Sequence, residues 1–570
     1  MVLRMIKEYF KKNKWLLLSS FLLAVVFCYP YLLYDFLGIE MDTFFHLSRI
    51  TGMAEALSRG VFLPCIYSFK NNGFGYASPL FYNDFFLILP AWLYNKGMSL
   101  AGAYKLVIFC TTFFTAYSMA SLIQRMFHKQ SVSLLVSAIY VFCSYRMTDV
   151  YVRGALGEVM AMTFLPCVLS GLYEVLEENH LASGKILLII GLAGLILSHN
   201  LTFLFGVALV ILYSLIYLKV LNKDKLLALF FSAVSAFLVT AWFTLPMIEQ
   251  LKSQDFYVDY YAKSSDLAGN AMTLKQYFQI PIAFGVGGYG MPEGSTMNLN
   301  PGIFLAFLPL LYFFCDKTER KTHRFVLASL ILGYVFLLLP IEYVPWDLFT
   351  KLRVIQFPWR LMTLATVLLT IPAGYGIASA MKKESIKRIL LACVVAFSVW
   401  QLTPATQRTF GITSQSRYSD ITDGTLIDPW YSASYMRVEL AGGDYLPITS
   451  PDYRTYSTNI KDVYENDTDL PDARSGGTFS FKVDEAHAGQ SLILPITYYK
   501  GYQVYAMDHG VRTPVSTYES SHGLVQTEIN SAGTYICEYA GTSVQAFSRV
   551  LSAVSLIGLL AYAVWKLKAQ

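Results

Sequence analysis

The sequence predicts a polytopic α-helical membrane protein with a β-rich domain near its C-terminus. Of the 570 residues, 55% are hydrophobic and only 15% are charged, and the mean hydropathy is +0.45. Ordinary soluble multidomain proteins do not have this composition. About twelve apolar runs are long enough to cross a bilayer. One long polar stretch, residues 404–545, contains short β-branched and aromatic segments.

The predicted membrane spans follow from the apolar runs. Allowing for tilt, they lie near 15–34, 102–124, 130–145, 157–177, 184–199, 201–219, 226–246, 301–316, 325–343, 360–380, 388–403 and 546–565. No small-residue cleavage site follows the first run, so we expect that run to be retained as a span. The segment 80–95 is interrupted by Asn83, Asp84 and Pro90. We therefore expect it to be re-entrant or interfacial.

The distribution of lysine and arginine predicts the orientation. With the N-terminus in the cytoplasm, the inner pieces hold 21 Lys and Arg in 57 residues, whereas the short outer pieces hold 12 in 154. This asymmetry obeys the positive-inside rule. Counting the segment 80–95 as a full span would reverse the bias. We therefore expect both termini in the cytoplasm.

By the same count, the polar stretch 404–545 lies outside, and we expect it to form a small β-sandwich. Its strand-like segments are separated by Gly, Asp, Asn and His turn signals; they are GTFSFKV, SLILPITYY, YQVYAM, GLVQTEI and GTYICEY. The predicted organisation is a transmembrane domain over 1–403 with a first outer loop at 35–101, the β-rich domain over 404–545, and a C-terminal span and tail over 546–570.

Charge and cysteine spacing exclude several classes of function. The net charge of +5 is small for this length, and the loop asymmetry accounts for it, so no nucleic-acid-binding patch is indicated. The eight cysteines are scattered and form no CxxC pair. They indicate neither a zinc site nor a disulfide framework.

The stretch IEMDTFFHLSRI, residues 39–50, places ionisable side chains just beyond the first span. In a helix, Asp42, His46 and Arg49 would share one polar stripe. The other face carries Phe44 and Leu47. The same pattern is therefore also typical of an interfacial helix that lies on a bilayer with its charges in water.

Further polar groups lie at the predicted outer ends of other spans, where such groups are costly unless they have a role. They are Arg146, Asp149, Arg153 and Glu158 in YRMTDVYVRGALGE, His199 and Asn200 in SHN, Glu249 after WFTLPMIEQ, and Gln356, Trp359 and Arg360 in QFPWR. Folding can bring these different loops into one extracytoplasmic pocket. Arginines with a few carboxylates suit a phosphate-bearing anion. The glycine-rich stretch 284–302 is typical of a mobile loop beside such a pocket.

Each of these pieces also has a simpler interpretation. Arg153 and Glu158 can form an ion pair at a helix end. His199 and Asn200 can cap adjacent helices, and QFPWR can be an interfacial anchor with a proline at a helix start. The case for a site rests on their shared side of the membrane.

Several motifs together carry a resemblance to a known family. They are MDTFFHLSRI after the first span, GYASPLFY (75–82), RGALGE (153–158), SHN (198–200), QFPWR (356–360) and GGDYLP (442–447). They resemble the bacterial membrane proteins labelled "6-pyruvoyl-tetrahydropterin synthase-related", which look like members of the GT-C superfamily of polytopic glycosyltransferases. The resemblance covers most of the chain, and QFPWR is its most specific piece.

The resemblance implies a GT-C-like fold, a sugar donor linked to a lipid phosphate, and a catalytic acidic residue in the first outer loop, which corresponds to Asp42. Where such proteins often carry Glu in an EYLP motif, this chain has Asp444. No metal ligand is assigned, although a divalent metal such as Mg or Mn is compatible with this chemistry. The residues expected to bind donor phosphate or substrate are His46, Arg49, Arg153, Glu158, His199, Asn200, Glu249, Gln356 and Arg360.

The expected function is sugar transfer from a polyprenyl-phosphate donor to an extracytoplasmic glycan or glycolipid acceptor at a bacterial plasma membrane. Nucleotide sugars are cytoplasmic, so an outward-facing site needs a donor that is delivered through the bilayer. Asp42 would act as general base while arginines stabilise the departing phosphate. A direct displacement would invert the configuration of the sugar.

Other functions remain open at the level of sequence. A lipid or polysaccharide transporter or flippase also has about twelve spans, but it usually shows repeat symmetry and ionisable groups near mid-membrane. A sensor or scaffold needs only a single anchor for its β-rich domain. A membrane acyl or phosphoglycerol transferase is the remaining alternative.

The charge asymmetry predicts that a cysteine introduced at Ser475, in the β-rich domain, reacts with an impermeant thiol reagent in intact cells. The parent chain, which keeps its own cysteines, gives the background labelling. Reaction that occurs only after permeabilisation would reverse the orientation and place the candidate site on the cytoplasmic side.

Overall fold

A computed structural model describes residues 2–33, 37, 41–71, 73–283, 296–315, 320–406, 443–450, 472–475 and 477–568. Residues 407–442 and 451–471 of the expected β-rich domain lie outside these ranges, as do residues 284–295 of the predicted mobile loop. The chain divides into two compact units. Unit 1 comprises Met1–Thr43, Tyr104–Ala236 and Ser264–Ser419, and unit 2 comprises Phe44–Ala103, Phe237–Lys263 and Asp420–Gln570.

The described part of unit 1 is helical. Its longer helices are Val2–Phe27, Leu100–Phe127, Gln130–Val141, Leu165–Leu176, Leu181–Ile196, Asn200–Ile216, Lys223–Val239, Arg320–Leu338, Met362–Ala380 and Glu384–Gln401. Its short helices and helical turns are Tyr29–Leu32, Ser144–Thr148, Asp149–Arg153, Leu156–Ala161, Leu218–Val220, Leu274–Tyr277, Ile303–Phe307, Leu308–Phe314, Trp346–Leu348, Thr350–Ile355 and Pro358–Leu361.

The helix Met362–Ala380 is the centre of unit 1. Its side chains are buried from Met362 to Ala378. Gly376 lets the turn Leu308–Phe314 approach closely, because a Cβ added there would lie 2.5 Å from Leu311 Cβ. A helix enclosed in this way has few alternative positions. The N-terminal end of this helix therefore holds the side chains of residues 359–363 in fixed positions.

A second close contact joins the helices Leu165–Leu176 and Leu181–Ile196. A Cβ at Gly171 would meet the backbone nitrogen of Leu188 at 2.8 Å, and one at Gly191 would meet that of Val168 at 2.8 Å. Glycine at these positions lets the two backbones approach, as small residues do in membrane helix pairs. The two helices thus form a tight hairpin.

Five helices in the described residues are long and apolar enough to cross a membrane. They are Leu100–Phe127, Leu156–Leu176, Pro358–Ala380, Glu384–Thr406 and Ser543–Tyr562. Two bent pairs, Gln130–Val141 with Ser144–Arg153 and Lys223–Val239 with Ala241–Leu251, raise the number to seven if each pair is one span. The prediction of about twelve spans is therefore not confirmed. Five other predicted runs form apolar helices of 10–17 residues. The run 301–316, for example, changes at Leu308–Pro309 from α-helix to a tighter 3₁₀ turn.

Unit 2 combines short helices with two antiparallel sheets. Its helices and turns are Thr43–Ser58, Ser78–Phe81, Phe85–Leu87, Ile88–Tyr94, Ala241–Leu251, Tyr257–Ser264, Glu485–His487 and Ser543–Lys568. Its strands are β1 (Asp472–Ser475), β2 (Thr478–Val483), β3 (Ser491–Thr497), β4 (Tyr502–Asp508), β5 (Val511–Val515), β6 (Thr517–Glu519), β7 (Leu524–Glu528) and β8 (Gly533–Tyr539). One sheet has the order β1-β2-β8-β4-β5 and the other has the order β3-β7-β6.

The two sheets share one hydrophobic core. Phe481 and Val504 of the larger sheet and Leu494 and Val525 of the smaller sheet belong to the same buried cluster. Each of the five segments expected as strands forms one, because alternating residues point into this core. The sequence did not indicate β1, β5 and β6. Strand β5 contains Pro514 and lies at a sheet edge, where a missing backbone donor is tolerated.

The close helix hairpin generates a stability prediction. Gly191→Ala should lower the melting temperature, because the added Cβ would meet the backbone of Val168, which cannot swing aside. Helix propensity alone would favour alanine by about 1 kcal/mol, so a loss of stability reports the packing. Gly558→Ala is the matched control, since nothing lies within 4 Å of its added Cβ. Equal behaviour of the two variants in the same detergent would contradict the close contact.

Candidate active site

A chain reversal in unit 1 organises the candidate site. The turn Ser144–Thr148 runs into a single wide π-turn, Asp149–Arg153, which ends at Gly154 with a φ of 64°. Glycine adopts this left-handed conformation without a Cβ clash. The helix Leu156–Ala161 can therefore begin immediately, and it brings Glu158 back against Arg153.

Arg153 is the buried centre of this reversal. Its Nη1 donates to a carboxylate oxygen of Asp149 and, at 2.9 Å, to Glu158 Oε2. The guanidinium lies over the indole of Trp359, 4.5 Å from the ring centroid. The carboxylate side chains are at most 2% exposed. The two carboxylates thus share one cation, and removing Arg153 would leave both of them buried without it.

Glu158 joins the reversal to the central helix. Its Oε1 accepts hydrogen bonds from the Tyr145 hydroxyl and from Thr363 Oγ1, both at 2.6 Å. Since Arg153 occupies the other oxygen, both oxygens of Glu158 are engaged. A carboxylate held in this way is suited to positioning its neighbours and poorly suited to accepting a proton.

The backbone holds Asp42 beside the same reversal. The N–H of Asp42 donates to the carbonyl of Arg153 at 2.8 Å, and that of Met41 donates to the carbonyl of Val152 at 3.3 Å. Asp42 is half-buried as a whole residue. Burial raises its pKa above the usual range for aspartate, although the charges of Arg153 and Arg360 oppose the rise. A recessed carboxylate that still reaches solvent can accept and release a proton.

The helix expected to carry Asp42, His46 and Arg49 on one stripe begins at Thr43. Asp42 therefore precedes the helix, and only His46 and Arg49 lie within it. Aspartate favours the position before a helix over its interior, because its side chain competes for backbone hydrogen bonds.

The motif QFPWR forms a compact turn at the start of the central helix. Gln356 has a φ of 59°, which is costly for a residue other than glycine. Its Oε1 accepts a hydrogen bond from Arg360 Nη1 at 2.6 Å. The rings of Phe357 and Trp359 stack with centroids 4.9 Å apart, and the Arg360 guanidinium lies 4.9 Å from the Phe357 centroid. These contacts fix the direction of Arg360.

Unlike Arg153, Arg360 keeps a hydrogen-bond donor that has no partner in the described residues. Its Nε is buried and has no hydrogen-bond partner among the residues that the structure describes. No carboxylate within those ranges forms an ion pair with it. The guanidinium is nevertheless close enough to influence the Asp42 carboxyl. Arg360 can therefore still bind an anion.

His199 lies near the same charges. Its pKa is lowered to about 4 because burial disfavours the imidazolium, while the charge of Glu158 opposes this and those of Arg360 and Arg153 add to it. The ring is therefore neutral at pH 7, and its Nδ1 lies 2.8 Å from Thr202 Oγ1. Asn200 begins the next helix and is exposed. His199 is the residue before this helix, but its side chain makes no capping hydrogen bond to the backbone.

His46 and Arg49 belong to a different network, in unit 2. Arg49 Nε donates to Asp84 Oδ1 at 2.6 Å, its Nη2 donates to the Asn83 carbonyl at 2.7 Å, and its Nη1 lies 2.9 Å from His46 Nδ1. The Tyr67 hydroxyl donates to the second oxygen of Asp84. Burial raises the Asp84 pKa, and the charge of Arg49 opposes this. Arg49 is thus compensated within the protein, like Arg153.

Glu249 also lies in unit 2. Its carboxylate is 3.2 Å from Lys500 Nζ and accepts a hydrogen bond from Thr542 Oγ1 at 2.6 Å. Within unit 1, by contrast, the structure brings together Asp42, Arg153, Glu158, His199, Gln356 and Arg360.

The sequence did not indicate every residue of the unit 1 cluster. Tyr145 and Thr363 were missed, although each lies about one helical turn from a charged residue that was noted, namely Asp149 and Arg360. Asp149 was noted only as an outer polar group. Among the described residues, no group of three or more His, Cys, Asp or Glu side chains is arranged to hold a metal ion.

No protein-family model matches the chain. A protein of Lactococcus lactis subsp. cremoris (strain MG1363), named "Uncharacterized protein", is 24% identical over 319 residues, which is 54% of this chain and 50% of that protein. The chain thus matches about half the length of this curated relative.

Among solved structures, the chain is similar to the cryo-EM structure of arabinofuranosyltransferase AftD from mycobacteria. The match covers 72% of this chain and 28% of that chain, with 12% sequence identity and a TM-score of 0.40.

Proposed function

We propose that this chain is a membrane glycosyltransferase that moves a sugar from a polyprenyl-phosphate donor to an extracytoplasmic glycan or glycolipid. The observation that carries the proposal is the placement of the recessed carboxylate of Asp42 within the influence of Arg360, which keeps a buried N–H without a partner in the described residues. A base and an anion-binding group are the two functions that this transfer requires. The motif resemblance to GT-C glycosyltransferases supports the same assignment.

In the proposed reaction, the acceptor hydroxyl attacks the anomeric carbon of the donor sugar while Asp42 removes its proton. The bond between that carbon and the phosphate oxygen breaks, and its electron pair stays on the phosphate. Arg360 stabilises the additional negative charge on the departing polyprenyl phosphate. Because one displacement occurs, the configuration of the sugar inverts. The proton then passes from Asp42 to water.

The remaining charged residues have supporting roles in this proposal. Arg153, Asp149 and Glu158 hold the backbone to which Asp42 is hydrogen-bonded. Gln356 directs Arg360. His199, which is neutral at pH 7, lies near these charges and is proposed as part of the substrate-binding set. The site is proposed to face outward from a bacterial plasma membrane, with both termini in the cytoplasm.

Asp42→Asn should abolish sugar transfer while donor binding is retained. The amide keeps the size of the side chain but cannot accept the proton, so turnover should fall by about 10² to 10⁴. The measurement is turnover of lipid-linked sugar by the purified chain, together with its affinity for the donor. Asp224→Asn, which removes an exposed carboxylate of unit 1, is the matched control.

Variants of Arg360 and Arg49 should have different effects, one on donor binding and the other on stability. Arg360→Gln should weaken donor binding roughly tenfold, because a charge-assisted hydrogen bond to phosphate is lost. Arg49→Gln should instead lower thermal stability, since it leaves Asp84 buried without its cation.

Near-normal turnover of Asp42→Asn would show that Asp42 is not the base. Donor transport across vesicles without any sugar transfer would favour a flippase.

The raised pKa of Asp42 predicts the pH profile. Transfer needs the ionised carboxylate, so kcat should fall as the pH drops through the Asp42 pKa, at a pH above about 4, the usual value for aspartate. Arg360→Gln removes a charge that lowers this pKa, so the acid limb of kcat, measured at saturating donor, should move to higher pH. An acid limb that does not move with this variant would contradict the coupling of the two groups.

A further inference from the structure

Unit 2 contains a cleft, and none of its lining residues belongs to the proposed active site. Its volume is about 530 Å³, which is in the range of small-ligand sites. One wall is formed by residues 59–68, and another by the ends of the sheet at Thr478, Tyr502 and Glu538–Gly541. The start of the C-terminal helix, Ser543–Lys568, forms the third.

The C-terminal helix has one face that lines this cleft and another, apolar face that points away from it. Thr542, Gln545, Ala546 and Arg549 line the cleft, and this spacing places them on one helical face. The side chains of Phe547, Val550, Val554 and Ile557 are apolar and exposed. Since Ser543–Tyr562 is long and apolar enough to cross a membrane, this exposed face suits contact with lipid.

Arg549 lies inside this apolar helix, where a charge is costly unless it has a polar partner. Its Nη2 lies 3.5 Å from Cys65 Sγ, which is a weak acceptor. Burial raises the pKa of the Cys65 thiol, so the thiol is neutral at pH 7. Within the described ranges, no carboxylate forms an ion pair with Arg549.

The other charged side chains of the cleft are already compensated. Arg59 Nη2 lies 2.5 Å from Glu55 Oε2. Glu538, the carboxylate that lines the cleft, accepts a hydrogen bond from Arg512 Nη1 at 2.8 Å. Arg549 therefore supplies the excess charge, and that charge is positive. An anionic ligand is favoured at this position.

We propose that this cleft binds the headgroup of an anionic membrane phospholipid, such as phosphatidylglycerol. The phosphodiester would contact Arg549, and the hydroxyl-bearing headgroup would occupy the polar walls near Ser68 and Tyr502. The acyl chains would follow the exposed apolar face at Phe547 and Val550. A soluble phosphate compound would not use this adjacent apolar surface. This proposal is independent of the proposed sugar transfer.

The test is native mass spectrometry of the purified full chain titrated with phosphatidylglycerol, phosphatidylcholine, polyprenyl phosphate or inorganic phosphate. Phosphatidylglycerol should bind about tenfold more tightly than phosphatidylcholine, and Arg549→Gln should remove this preference. Arg549→Lys should retain part of it. Lys482→Gln removes an exposed cation of β2 outside the cleft and should leave the preference unchanged.

Several outcomes would overturn the proposal. One is equal binding of phosphatidylglycerol and phosphatidylcholine, and another is equal behaviour of Arg549→Gln and Lys482→Gln. Displacement of phosphatidylglycerol by inorganic phosphate would identify a site for soluble anions. A loss of polyprenyl phosphate binding in Arg549→Gln, with phosphatidylglycerol unaffected, would identify a donor site. If Arg549→Gln does not fold, two other variants test the proposal. Arg549→Lys should weaken the preference for phosphatidylglycerol, whereas Arg59→Gln, which keeps Arg549, should retain it. This lipid-binding assay does not depend on sugar transfer, so its result stands whether or not Asp42→Asn is inactive.

Discussion

The ion-paired side chain of Arg153 is the constraint on which the candidate active site depends. Its guanidinium is held by Asp149 and Glu158 and covered by Trp359, and its carbonyl accepts the N–H of Asp42. Glu158 in turn accepts hydrogen bonds from Tyr145 and Thr363. Segments far apart in sequence therefore meet at one buried charge. Because these contacts share one guanidinium, losing Arg153 would disturb all of them.

Four of the arginines in the described residues differ in their physical roles. Arg153 and Arg49 are buried against carboxylates and serve the protein's own structure. Arg360 and Arg549 have no carboxylate partner within the described residues, and each is oriented by weaker or neutral contacts. Arg360 keeps a buried N–H without a partner in the described residues, and Arg549 is exposed but lies on a helix apolar enough to cross a membrane, so an anionic ligand would supply each with a counter-charge. On this basis we assign phosphate recognition to Arg360 and Arg549.

Sequence patterns within single segments predicted the helices and strands better than they predicted contacts between distant segments. Alternating apolar residues indicated five strands that the structure contains, and apolar runs indicated the helices, whereas span length failed where a run breaks, as at Leu308–Pro309. Polar residues at the ends of the apolar runs were singled out as candidate site residues. Their grouping was not predictable, because the spacing that suggested one stripe for Asp42 and Arg49 could not reveal that Arg49 pairs with Asp84. Tyr145 and Thr363 carry no charge and became visible only through their contacts with Glu158.

The central claim is that Asp42 and Arg360 form one site for a lipid-phosphate sugar donor. The most direct measurement is a cryo-EM structure of the Asp42→Asn variant of the full chain with a polyprenyl-phosphate sugar bound. We expect the donor phosphate within hydrogen-bond distance of Arg360 Nε and the anomeric carbon facing the side chain at position 42. Density for the donor beside Arg49 or Arg549, with none at Arg360, would contradict the account.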